Sequence, residues 1–191
     1  MLVPNNLPPI SCLKQAPLNK VRCDKFILTI DIPILLRKKL IEIYKDASII
    51  DSFQVNLTNA PFPVISVPSI AVPYAGQTYN ISSHTRPKYE DLDVSFFVDS
   101  AFINYWLLWF WLDMLNGVED SINNVEIMSQ TTTSFTLSLL DEYNSTIVNV
   151  IYEDVSIVQL GNLTLDYANA NQLKASAKFV FNRMLLKYPE I

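Results

Sequence analysis

The chain has 191 residues, of which 50% are hydrophobic, 12% aromatic and only 17% charged, with a formal net charge of -5. That composition excludes a disordered segment and fits one domain with a real core, and so few charges predict apolar surface left for a partner or for self-assembly. Residues 89–173 hold thirteen Asp and Glu but no Lys or Arg, whereas the first fifty hold eight basic and four acidic residues; a folded body without a cation over such a length cannot easily hold phosphates by ion pairing.

Residues 1–20 carry four of the eleven prolines and little periodicity, which predicts an extended arm ahead of a single domain at 21–191. Residues 25–32 alternate as a strand stopped by Pro33. Residues 34–44 place Leu36, Leu40 and Tyr44 at helical spacing beside Arg37, Lys38 and Lys39. Residues 49–57 again read as a strand. Residues 59–87 hold five prolines between short β-branched pieces, which predicts a long hairpin or protruding loop with a binding task.

The segment 89–99 has the cleanest alternation: Leu92, Val94, Phe96 and Val98 point one way, Asp91, Asp93, Ser95 and Phe97 the other. Ser100 can cap a helix running to about Asn116, with Gly117 as its terminator. That helix is apolar nearly all round, which predicts burial on several sides, completed by neighbouring subunits. Segments 125–128, 131–140, 147–158 and 173–186 read as strands, with 141–144 as a hairpin turn and loops at 161–162 and 169–171. The fold class expected is mainly β (α+β): an antiparallel β-sandwich or partial barrel with one long apolar helix in mid-chain and a protruding Pro-rich loop.

Catalytic machinery is hard to find, and no catalytic residue, cofactor or metal ligand is predicted. His84 is the only histidine and reads as a loop residue, without a nucleophile elbow anywhere. One His and two distant cysteines cannot supply a zinc site, and three glycines build no phosphate loop. Asp91 and Asp93 share a strand face but lack the further oxygens and glycine turn of a calcium loop. Cys12 and Cys23 read as free thiols, and the sequons at Asn56, Asn80, Asn144 and Asn162 as chance matches. The longest apolar run, 105–112, has eight residues against the roughly 20 that span a bilayer. With no signal-peptide pattern at the start, a soluble protein made in a cytoplasm and free of membranes is expected.

Two segments, in this order, resemble the tail-tube proteins of contractile-tailed bacteriophages. One runs from the Pro-rich loop through Thr85-Arg86-Pro87-Lys88-Tyr89-Glu90-Asp91-Leu92-Asp93-Val94-Ser95-Phe96 into the tryptophan-bearing helix. The other is Gly161-Asn162-Leu163-Thr164-Leu165-Asp166-Tyr167-Ala168-Asn169-Ala170-Asn171 followed by 174–188. The resemblance covers roughly residues 50–188; the arm and the helix at 34–44 depart from it. It implies a structural virion protein of the tail, assembled in the host cytoplasm, whose hexameric rings stack into a tube around passing DNA that is not specifically bound. Its partners would be itself and the tail sheath and baseplate proteins. A conduit for a polyanion should be negative or neutral inside. Asp91, Asp93 and Ser95, with Thr132, Ser134 and Thr136, would then line the lumen. The loop 62–88, with Val67, Ile70, Tyr74, Tyr79, His84 and Arg86, would meet a neighbouring ring, and the helix residues Phe102, Trp106, Trp109 and Phe110 would lie at the subunit boundary. A tube initiator or terminator, a small-ligand β-barrel lined by Trp and Tyr, and a hydrolase using His84 are the competing readings.

Overall fold

A computed structural model describes residues 21–45, 56–83, 85, 88–116, 130–168 and 170–189. The arm at 1–20, most of the strand expected at 49–57, the strand at 125–128, and Gly117, His84, Arg86 and Asn169 lie outside the described residues.

A seven-stranded antiparallel sheet organises the chain. Its strands are β1 (Phe26–Ile30), β2 (Leu57–Asn59), β7 (Leu92–Phe97), β8 (Thr133–Leu140), β9 (Thr146–Leu160), β10 (Lys174–Val180) and β11 (Arg183–Lys187). The order is β1-β8-β9-β10-β7-β2, with β11 also on β9. The expected final strand is thus two, and their registers are in phase: Val180 faces Ser156 and Arg183 faces Glu153. β10 and β11 follow one edge of β9, and β8 holds the other edge of its first part.

β9 is long enough to belong to both halves of the sheet because it bends. Asp154 has φ 56, a left-handed conformation. Inward positions step from Val148, Val150 and Tyr152 to Val155 and Ile157, a one-residue change of phase of the kind a bulge produces. Alternation keeps Leu28, Ile30, Leu92, Val94, Phe96, Phe135, Leu137 and Phe179 on the buried face. At Gly161, where the chain leaves β9, the amide bonds the Ser176 carbonyl at 2.6 Å, and an added Cβ would lie 2.9 Å from that oxygen.

Two helices lie against this sheet. α1 (Ile34–Tyr44) follows Pro33 as expected and buries Leu36 and Leu40. α2 (Ile103–Asn116) buries Asn104, Leu107, Leu108 and Trp111. Ser100 is not its cap. Asp99 takes that role, its Oδ1 accepting from the Ile103 amide at 2.8 Å and its Oδ2 from the Asn104 amide at 3.3 Å. A carboxylate there satisfies orphan amides and suits the positive end of the helix dipole. Asn104, fully buried, donates to the Phe97 carbonyl at 2.7 Å and ties α2 to the end of β7.

The core contains one unmatched polar atom among the described residues: the Tyr152 hydroxyl has no hydrogen-bond partner. Burial pushes its pKa well above the ordinary 10. Tyr152→Phe is expected to stabilise the fold by about 1 kcal/mol, because the lost hydroxyl was desolvated without compensation. The folded state keeps this proton when the unfolded chain releases it. Wild-type stability therefore falls as pH rises above 10, by up to about 1.4 kcal/mol per pH unit, and the variant lacks that component. Urea titrations of both proteins at pH 8 and pH 11 measure the difference.

Candidate assembly surfaces

The expected loop is an ordered hairpin. β3 (Ile65–Ser66) pairs with β6 (Lys88–Tyr89) at its base, and β4 (Ser69–Tyr74) pairs with β5 (Gln77–Ser82) beyond it. Tyr74 faces Gln77, leaving a two-residue turn in which Ala75 and Gly76 have φ 50 and 79. Two positive values are those of a type I′ turn, which matches strand twist and needs glycine at the second position. Every residue of β4 and β5 is exposed.

The two faces of this hairpin differ. Pairing and alternation put Ile70, Val72 and Tyr74 together with Tyr79 and Ile81 on one face. Ser69, Ala71 and Pro73 share the other with Thr78, Asn80 and Ser82. Tyr74 is 75% and Tyr79 67% exposed, and Val67 at the base is exposed as well. No charged side chain occurs anywhere in 56–83. A two-stranded hairpin with an uncovered apolar face is marginal alone in water, so this element has the chemistry of an interface.

α2 is partly buried within one copy. Its sheet-facing side is buried, but its other side opens an aromatic patch. Trp109 is 48% exposed, and Trp106 and Phe110 are half-buried and stacked at 5.1 Å. Tyr44 of α1 meets Trp106 edge-on at 5.6 Å. Phe102 lies just before the helix, not in it, with φ 62 and its ring 4.9 Å from Tyr105. A bulky residue in that left-handed region is strained, and such strain concentrates where a side chain has a task.

Of the six positions predicted for the lumen, Asp93, Ser95, Ser134 and Thr136 are outward residues of β7 and β8, and Asp91 and Thr132 directly precede those strands. Asp91 and Asp93 are exposed, while Ser95, Thr132, Ser134 and Thr136 are half-buried. Ser134 Oγ donates to Asp31 Oδ2 at 3.2 Å. Phe135 and Leu137 enter the core as alternation requires, and Leu139 only partly does. The acidic stripe, however, is interrupted. β10 begins where the lysine-free stretch ends, and Lys178 sits directly opposite Asp93. Lys174 lies 5.1 Å over the Phe97 ring, and Arg183 pairs with Glu153 at 3.8 Å. Sequence reasoning missed these cations because it followed the charge of a segment, whereas a face is assembled from strands distant in sequence. Among the described residues no His/Cys/Asp/Glu group could hold a metal, and no helix is long and apolar enough to cross a membrane.

No family model and no curated protein matches the chain. Solved structures do match. A chain of the sheath/tube terminator of the extracellular contractile injection system PVC, in its extended state, aligns with TM-score 0.59 at 11% identity, over 88% of this chain and 97% of that one. The cap of the anti-feeding prophage, a tube terminating cap, gives 0.57 at 13% identity over 99% and 100%. The extended PVC sheath-tube complex gives 0.55 at 9% over 96% and 100%. This is the fold of contractile injection system tube and terminator proteins. Those neighbours are tube and terminator parts rather than enzymes. The chain is mainly β (α+β), with the long helix in mid-chain and an exposed hairpin, as the alternation and prolines predict.

Proposed function

We propose that this chain is a structural subunit of a contractile phage tail, closing into hexameric rings that stack into a tube. The observation that carries the reading is the charge-free, one-sidedly apolar hairpin at 69–82 on a body with the tube fold. In this reading 62–88 reaches the neighbouring ring and the aromatic patch of α2 lies at the subunit boundary. The outward sheet face bearing Asp91, Asp93, Ser95, Thr132, Ser134 and Thr136 lines the lumen. Lys178 opposite Asp93 makes that wall mixed and near neutral rather than acidic, which still lets DNA slide without net attraction. Sheath and baseplate proteins surround the tube, which belongs to the virion tail and is assembled in the host cytoplasm. The first twenty residues serve as an appended arm to the single domain.

A terminator or initiator of the tube is the second reading. It is favoured by the likeness to a sheath/tube terminator and to a tube terminating cap, at TM-scores of 0.59 and 0.57. Size-exclusion light scattering with negative-stain electron microscopy on the same fractions separates the two. Hollow tubes formed by the purified chain select the repeating subunit. Single rings that do not grow select the terminator or initiator. A monomer at high concentration overturns the ring reading and favours a small-ligand β-barrel.

A further inference from the structure

We infer that the apolar face of the β4–β5 hairpin of one copy seats on the aromatic patch at the start of α2 of another copy, with Phe102 and Trp109 as its anchors. The inference rests on the ring-stacking reading and names the surface that receives the hairpin.

Four observations converge on this pairing. Both surfaces present large apolar side chains without cover: Ile70, Tyr74 and Tyr79 on the hairpin, Phe102 and Trp109 at the helix. Both come from charge-free runs, 56–83 and 100–112, in a chain whose other exposed apolar residues on α1 lie among Arg37, Lys38, Glu42 and Lys45. A surface of this kind is matched by an equally uncharged one, because burying an unpaired charge against it costs several kcal/mol. The hairpin is also long enough to span the patch. A six-residue strand gives a flat strip about 20 Å long, and the ridge from Phe102 to Trp109 extends about 10 Å along the helix. Finally, Phe102 holds a left-handed backbone that leaves its ring 43% exposed beside the helix.

The occupant is a second copy because each chain carries one hairpin and one patch. A contact between two different surfaces of identical subunits is head-to-tail and propagates from one layer to the next.

The test places the photo-crosslinking residue p-benzoylphenylalanine at Tyr79 of the full chain, in an equal mixture of light and heavy isotope-labelled copies. After irradiation, a protease that cuts before aspartate releases 99–112 as one peptide, because Asp99 and Asp113 bracket it without an intervening Asp. Mixed light-heavy crosslinks between the hairpin and 99–112 are expected at least tenfold above those from a probe at Tyr143, an 85% exposed turn residue. Phe102→Gly keeps the backbone conformation without the ring, and should lower that yield at least tenfold while the monomer melts within a few degrees of wild type. Crosslinks elsewhere in particles that microscopy shows as tubes would overturn the pairing and leave the stacking reading intact. Absence of any assembly up to high concentration would overturn both.

Discussion

Trp109→Asp should leave the chain folded but unable to stack into tubes. Trp109 is 48% exposed and takes no part in the buried set of α2, which is Asn104, Leu107, Leu108 and Trp111. The substitution therefore opens no cavity and buries no charge within one copy, and a stability change within about 0.5 kcal/mol is expected. In an assembly that covers the patch, the same change removes an aromatic anchor and strands a carboxylate in an apolar contact. Truncating such an anchor costs about 2–4 kcal/mol, and an unpaired buried charge adds more. At about 4 kcal/mol the concentration needed for assembly rises about a thousandfold. Far-UV circular dichroism with thermal melting reports the fold, and light scattering with negative-stain microscopy the tubes. Tubes at wild-type concentration would remove α2 from the boundary between stacked subunits.

Removal of the hairpin should separate ring closure from stacking. Ser83 already bonds the Pro68 carbonyl at 3.1 Å, so the chain can be rejoined there by replacing 69–82 with Asn-Gly, a turn pair suited to that spacing. All twelve residues of the two strands are exposed, so the body loses no core packing. Single rings should persist and tubes should vanish. A gentler variant with Ile70→Thr, Val72→Thr, Tyr79→Thr and Ile81→Thr keeps strand propensity and removes the apolar face. Each such side chain, when buried, contributes about 1.5–3 kcal/mol. Even partial burial in the contact then predicts a rise of about a thousandfold or more in the concentration that supports tubes, measured by turbidity and microscopy. Tubes of normal length from either variant would exclude 62–88 as the inter-ring element.

How much was legible beforehand differs from element to element. α1 runs over 34–44 as its leucine spacing predicts, because a short amphipathic helix after a proline is specified by its own residues. β7 is legible for the same reason: strict alternation at Leu92, Val94 and Phe96 buries one face whatever lies beside it. The cap of α2 was misread. Ser100 is an acceptable cap by residue type, but the role fell to Asp99 once the chain turned through Phe102 with a left-handed backbone. The division of the last strand into β10 and β11 was also hidden, since it follows from where β9 bends at Asp154.

The sequence by itself determined the strand and helix types and the exposed proline-rich hairpin, because these depend on periodicity and composition carried locally. Only the tertiary structure decided which surfaces exist. Strand order brought Lys178 opposite Asp93 and so neutralised a stripe that reads as purely acidic along the chain. Packing buried one side of an all-apolar helix and left Phe102 and Trp109 uncovered on the other. Pairing across β4 and β5 collected five apolar side chains onto a single face of the hairpin. In each case the deciding quantity is a neighbour supplied by a distant part of the chain, and local periodicity carries no information about it.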